Sequence, residues 1–276
     1  MLNKSDLKIK DHSFSQEEFN LIYDAQLDKY TTTPVPDNLG DYYKAENYIS
    51  HTDAKTGFTD KLYHSVKHFM LNRKLKLISK YASKGKLLDI GAGTGDFLKS
   101  AKKVGWEVSG IEPSEAARKN SLKKGITLFE SEHDLEDQKF EVISMWHVLE
   151  HVPDTEKQIQ WIFNHLTENG IAIIAVPNFK SYDAQHYKEF WAAWDVPRHL
   201  HHFSSKSIRL LFERNGFTCI AQKPLIFDSF YVSMLSEKYM GSNFPLILGF
   251  FRGLVSNMKA LANGQYSSLI YILKKH

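Results

Sequence analysis

Cysteine is almost missing from this chain: a single one, Cys219, stands among 276 residues. One thiol excludes an intrachain disulfide and a cysteine-based zinc site, and its place in the strand-like run Thr218–Gln222 suits a small core residue. Long apolar runs are missing too, since none approaches the roughly 20 residues of a membrane-spanning helix. The opening Met1-Leu2-Asn3-Lys4-Ser5-Asp6 lacks the apolar segment of a secretory signal, so a cytoplasmic protein is expected. Strong charge of either sign is absent as well. A formal net charge of +3 is too mild for a surface that tracks nucleic-acid phosphates, so nucleic acid is not an expected partner.

What is present is a hydrophobic fraction of 42%, enough to bury the core of one large domain with appendages. Its centre is Leu87-Leu88-Asp89-Ile90-Gly91-Ala92-Gly93-Thr94-Gly95-Asp96-Phe97-Leu98, an apolar run ending in an acid and three alternate glycines before a helix-like pattern. Strand, tight loop and helix follow from that pattern. Glycines let the backbone close on a ligand and reach dihedrals that cost other residues energy. The dinucleotide fingerprint would place a glycine at 96. Asp96 stands there instead, a like charge for a pyrophosphate, so a cationic or phosphate-free nucleoside is the better ligand. Glu112, ending the next apolar run, is placed to accept both ribose hydroxyls.

Leu88–Gly95, Ile111-Glu112-Pro113-Ser114 and Trp146-His147-Val148-Leu149-Glu150-His151-Val152 together resemble the class I S-adenosylmethionine-dependent methyltransferases, and most closely their small-molecule branch of quinone-type O-methyltransferases. The likeness spans residues 60 to 223. It implies S-adenosylmethionine as cofactor, held by Asp89, Gly91, Ala92, Gly93, Gly95, Glu112, Pro113, Trp146 and His147, with His151 approaching the methyl group or the substrate. It also implies a last strand that runs antiparallel. Some members carry an N-terminal cysteine-rich zinc ribbon, which this chain lacks.

Along the chain, residues 1–59 read as a lightly structured arm, with the tyrosine-rich Asp41–His51 a candidate lid over the cofactor. Residues 60–276 read as the methyltransferase domain. An amphipathic helix over Asp60–Ser79, its lysines on a solvated face, precedes an alternation of strands and helices that implies a parallel sheet. Seven strands are expected: Lys86–Ile90, Glu107–Ile111, Thr127–Phe129, Glu141–Met145, Ile171–Val176, Thr218–Gln222 and Ser268–Leu273. Ser114, Asp154 and Ser204 suit helix N-caps, and Gly105, Gly125, Gly170 and Gly216 suit helix stops. The fold class is therefore α/β, a doubly wound, mostly parallel sheet. Insertions at 178–203 and 227–264 interrupt it where ligands bind in such sheets.

O-methyl transfer needs an aligned acceptor and a base for its proton. His151 is one candidate, since an imidazole titrates near neutral pH. Asp195 and His199 are others, in the loop Trp191-Ala192-Ala193-Trp194-Asp195-Val196-Pro197-Arg198-His199-Leu200-His201-His202. Trp191 and Trp194 are candidate pocket walls, and Arg198 a candidate anchor for an anionic group. His147-x-x-Glu150-His151 matches an inverted zinc-peptidase pattern, but Pro153 leaves room for only about one turn there. The trio His199, His201 and His202 also invites a metal, yet none is expected.

The apolar segment 227–264 could cap a substrate, pair two copies in a homodimer of a chain otherwise monomeric, or touch a membrane surface. Alternatives left open are an N-methyltransferase or sugar-modifying methyltransferase of the same fold, and a non-catalytic cofactor-binding subunit that docks a partner through that segment. An enzyme should leave His151 and the 191–203 loop open, whereas a docking subunit should bury them and expose 244–251.

Overall fold

Residues 5–43 and 58–276 are described in the computed structural model, with side chains from 67 onward in the second stretch. Leu7–Lys10 (β1), Glu18–Asp24 (β2) and Lys29–Thr33 (β3) form an antiparallel meander. Along β2, Phe19 and Leu21 are buried while Glu18, Asn20 and Ile22 are exposed, the period-two pattern of a strand covered on one face. The N-terminal stretch is thus an ordered sheet, not the lightly structured arm expected. Its aromatic side chains have a place to go, because Ile9, Phe19, Leu21, Tyr30 and Tyr42 share a core with Phe179, Tyr187, Trp191 and Trp194. Of the expected lid, residues 44–51 lie outside the described residues.

Phe58–Tyr81 (α1) crosses one face of the main sheet, burying Leu75 and Ile78 against Leu87, Leu98 and Ile173. Then follow Lys86–Ile90 (β4), Asp96–Lys103 (α2), Glu107–Ile111 (β5), Glu115–Leu122 (α3), Phe140–Trp146 (β6), Thr155–His165 (α4) and Leu166–Pro177 (β7). The 178–203 insertion holds the short helix Tyr182–Tyr187 (α5) and the strand His201–His202 (β8). Ser205–Arg214 (α6), Phe217–Pro224 (β9), Asp228–Tyr239 (α7), Pro245–Asn263 (α8) and Ser268–Lys275 (β10) complete the chain.

The main sheet runs β5-β4-β6-β7-β10-β9. Parallel pairing joins β5, β4, β6 and β7, and β10 is antiparallel to both neighbours. In β7, Ile171, Ile173 and Ala175 belong to the core on the α1 face while Ala172, Ile174 and Val176 belong to the opposite core. A strand covered on both sides reads as a continuous apolar run for this reason, and each such isoleucine contributes roughly 1.5–3 kcal/mol by burial.

Six strands form this sheet rather than seven. The Thr127–Phe129 segment makes one isolated bridge, Ile111 with Phe129, through Phe129 N–H to the Gly110 carbonyl and Glu112 N–H to the Phe129 carbonyl. The chain then turns away, as Ser131 starts a single 3-10 turn at Glu132–Leu135. Ser114, Asp154 and Ser204 do cap α3, α4 and α6, each accepting a backbone N–H of the first turn. Gly170 stops no helix: it lies inside β7. The small sheet β1-β2-β3-β8 stands apart, since Tyr30 pairs with His202 and Thr31 with His201.

Candidate functional site

Three parallel strands, β4, β5 and β6, end side by side, and the glycine loop leaves the first of them. Gly91 and Ala92 donate to the Ile111 carbonyl at 2.8 and 2.9 Å, which ties the loop to the tip of β5. Gly93 donates to Glu112 Oε2 (2.8 Å) and Ser114 to Oε1 (2.9 Å), so the carboxylate is held by two backbone donors with lone pairs to spare. At Gly91, with φ +71°, an added Cβ would lie 2.4 Å from Val148 Cγ2. At Gly93, with φ +53°, it would meet nothing within 4 Å, and the rim of the loop there is open to a ligand.

Asp89 lies beneath the loop, 3% exposed, with Ser144 Oγ donating to it at 2.6 Å. Burial pushes its carboxyl up to about 7 against the opposing pull of Ser144 and the Lys74 ammonium. Lys74 stands 4.1 Å from the centre of the Trp146 ring, a cation held on a π face. Asp96 pairs with Lys67 and Lys124, each at 2.7 Å. Two ammonium groups offset its charge, so the like-charge argument against a pyrophosphate loses much of its force. The basic residues of α1 are therefore not all solvated, and Lys67, Lys74, Lys124 and Ser144 were not legible as site residues because each acts across elements.

His147 leaves β6 with φ +58°, and its Nε2 lies 2.8 Å from Asp228 Oδ2 while Nδ1 lies 3.2 Å from Glu150 Oε1. Burial lowers its pKa, but the two carboxylates outweigh this and raise it to about 10. His147 is thus an imidazolium between two acids. Glu150 is 1% exposed, and its Oε2 has no partner among the described residues.

His151 differs in charge. Burial and the neighbouring His199 lower its pKa to about 4, so it is neutral at pH 7. Its Nδ1 is 3.0 Å from the Arg198 carbonyl and 3.1 Å from the Tyr43 hydroxyl. The carbonyl can only accept, which assigns the proton to Nδ1 and the lone pair to Nε2. His199 directs Nδ1 to the Ala193 carbonyl at 2.9 Å and stands edge-on to His151, ring centres 4.7 Å apart. Among the described residues, Glu150, His151 and His199 bring one ligand atom each within 4.8 Å of one another, a set that could hold a metal ion. The histidine trio does not converge: His201 meets the Pro153 carbonyl and His202 meets Thr32. Nor does His147 converge with His151 as the zinc-peptidase pattern requires, since its two nitrogens face Asp228 and Glu150.

The 191–203 loop is core rather than pocket. Trp191 donates its indole N–H to Asp183 at 2.8 Å and Trp194 to the Lys188 carbonyl at 2.7 Å, both rings being fully buried. Arg198 is 3% exposed and divides its donors among Asp195, the Tyr42 carbonyl and Ser13 Oγ. Asp195 is held below its usual value: burial raises it, but this guanidinium and His199 outweigh that effect. These contacts seat the N-terminal segment on the loop and commit the groups expected as walls and anchor. His151 is half-buried, while Phe244, Leu246, Ile247, Phe250 and Phe251 are all more than half exposed. Exposure alone matches the pattern expected of a docking subunit.

Comparison with known proteins supplies the deciding observation. A family model described as a methyltransferase domain matches residues 63–222. A ubiquinone biosynthesis O-methyltransferase of Actinobacillus pleuropneumoniae is 33% identical over 107 residues, 34% of this chain and 46% of the relative. That of Rickettsia typhi is 27% identical over 172 residues, 56% of this chain and 69% of the relative. The chain spans about half the length of most of these relatives. Among solved structures, a magnesium protoporphyrin IX methyltransferase of Synechocystis with bound SAH is similar over 87% of this chain and 99% of its own, at 12% identity and a TM-score of 0.57. A possible histamine N-methyltransferase of Thermotoga maritima covers 78% of this chain and 96% of its own, at 18% identity and a TM-score of 0.51. With the loop, the carboxylate on β5 and more than half the sequence in agreement, the chain belongs to the methyltransferase domain family and has the fold of class I S-adenosylmethionine-dependent enzymes.

Proposed function

We propose that this protein transfers a methyl group from S-adenosylmethionine to an oxygen atom of a small molecule, with His151 as the base. The carrying observation is the state of His151: neutral, with its proton fixed on Nδ1 by the Arg198 carbonyl and its lone pair at Nε2. It follows β6 by a single 3-10 turn, on the side of the sheet where the glycine loop opens.

The bound cofactor supplies a methyl group already activated by a sulfonium. The protein's share is placement and proton transfer. Glu112, fixed by Gly93 and Ser114, accepts the ribose hydroxyls. Gly93 offers an open rim for close approach, and Trp146 and His147 border the same cleft. Asp89 provides the negative field that a cationic cofactor needs. His151 Nε2 would take the proton of the acceptor hydroxyl as that oxygen is methylated and pass it to solvent.

No helix of the described residues is long and apolar enough to cross a membrane, and we take the enzyme to work in the cytoplasm as a monomer or homodimer. Residues 60–276 would then form the catalytic domain, with the N-terminal sheet serving as its cover.

Calorimetric titration with S-adenosylhomocysteine and, separately, with NAD tests the cofactor. Micromolar binding of the first alone is expected; binding of NAD alone would overturn the reading. Label transfer from S-adenosylmethionine to a panel of phenols, amines and sugars then tests the acceptor atom, and transfer to nitrogen alone would replace the oxygen assignment.

A further inference from the structure

Helix α8 has three faces. At about 100° per residue, Gly249, Gly253, Ser256 and Ala260 share one side, and these are its buried residues. A Cβ at Gly249 would lie 2.5 Å from Met234 Cα, and one at Gly253 2.8 Å from Phe230 Cα, so small residues let α7 pack close to the α8 backbone. On the outward side, Leu246, Phe250, Leu261, Leu254, Met258 and Phe251 cover an arc of about 140°. Their exposure runs from 40% at Leu254 to 78% at Leu261. Asn257, within the arc, turns its amide back to the Ile226 carbonyl at 2.8 Å. The third face, next to Leu248, carries Arg252 and Lys259, both exposed, with the Lys259 ammonium 3.9 Å from the centre of the Tyr182 ring.

An amphipathic helix normally turns its apolar stripe to the core. Here the stripe faces outward and a small-residue stripe makes the close core contact; of the arc, Phe250 stacks on Phe230 of α7 at 5.3 Å while remaining more than half exposed. Contiguous apolar surface on this scale marks an interaction site. The charge pattern selects the occupant: no Asp or Glu follows Glu237 in the sequence, while Lys259 and Arg252 lie next to exposed Leu248 at the border of the apolar side. A second copy paired about a two-fold axis would bring these cations together with no carboxylate from this segment to answer them. An anionic lipid surface offers both an apolar interior and negative headgroups.

We propose that the outer face of α8 docks this enzyme on an anionic membrane surface, its apolar arc seated at the headgroup–acyl boundary and its cationic edge against the headgroups. The helix lies in the plane of the surface and does not span it.

Flotation of the whole protein with phosphatidylcholine vesicles, with and without phosphatidylglycerol, tests this. The protein should rise with the mixed vesicles, several-fold less with phosphatidylcholine alone, and the difference should disappear at high salt. Phe251→Glu with Met258→Glu should abolish flotation, and Arg252→Glu with Lys259→Glu should remove only the preference for anionic lipid. S-adenosylhomocysteine affinity should be unchanged in both; thermal unfolding should be unchanged in the first pair, and in the second should change only by the loss of the Lys259 contact with the Tyr182 ring. If the wild-type protein stays behind with mixed vesicles at low salt, the proposal is wrong whatever the variants do. Empty vesicles together with a dimer in light scattering, split by Phe251→Glu, would assign the face to a second copy. The methyltransferase reading is separate, because S-adenosylhomocysteine titration decides it without lipid.

Discussion

The imidazole of His147 bridges to Asp228 at 2.8 Å, joining the residue that leaves β6 to the first turn of α7 in the C-terminal insertion. Its other nitrogen meets Glu150 at 3.2 Å. One cation therefore couples the cleft to an element that the sequence inserts between the last two strands of the chain.

That coupling has a pH signature. The His147 pKa stands at about 10 in the folded protein against 6.5 for the free side chain. A raised imidazole pKa contributes stability that is complete below about pH 6.5 and is lost as pH rises through about 10. Asp228→Asn keeps the shape and removes one charge. Denaturant unfolding at pH 6.5 and pH 10 should show the wild-type protein losing about 1–3 kcal/mol more than the variant over that interval. Identical losses would mean that the bridge does not form.

Asp89 should trade stability for affinity. Its folded pKa of about 7 lies above the ordinary 3.8, so the unliganded protein loses stability as pH climbs from about 4 to about 7. Asp89→Asn should raise the melting temperature of the free protein at pH 8 and weaken S-adenosylmethionine binding at least tenfold. Binding of that cation should also release a proton near pH 7, read by calorimetry in buffers of different ionisation enthalpy. No proton release would place the sulfonium away from Asp89.

For His151, removal should strike turnover and spare binding. His151→Ala should lower kcat by about 10²–10⁴, with S-adenosylhomocysteine affinity within about twofold of wild type. With a pKa of about 4, His151 should sustain the rate down to about pH 5 if it is the base. EDTA should leave the rate unchanged; a rate restored by one divalent cation would instead make Glu150, His151 and His199 a metal set.

Arg198 should behave as a structural residue. Replacing it with alanine leaves Asp195 poorly compensated and frees the Tyr42 carbonyl and Ser13, at a cost of about 3 kcal/mol. Arg198→Lys cannot reproduce the planar fork and should lose part of that stability. A raised KM with unaltered unfolding would restore its role as substrate anchor.

Features set by neighbouring residues were readable in the sequence. The glycine loop, the capping serines and Asp154, the parallel order and the antiparallel last strand all depend on short-range pattern or on the family likeness. Long-range partners were not. Trp191, Trp194 and Arg198 looked like pocket residues because nothing nearby in sequence accounts for them; Asp183, Lys188, Tyr42 and Ser13 do so in space. The pairing of His147 with Asp228 has no local signal either, nor has the positive φ at a histidine. The alternation at Phe19 and Leu21 was present to be read, but the strand that completes their sheet is only two residues long, at His201–His202.

That last pairing orders events during synthesis. The meander β1-β2-β3 leaves the ribosome before its partners, since the outer edge of β3 pairs with His201 and His202, and the rings that pack on Tyr30 include Phe179 and Trp194. Until residues 179–202 have emerged, this meander lacks the strand that pairs with β3 and the rings that cover Tyr30, a species prone to misassociation. A nascent chain halted before residue 179 should accordingly hold an N-terminal segment open to protease, and one halted well after residue 203 a protected one.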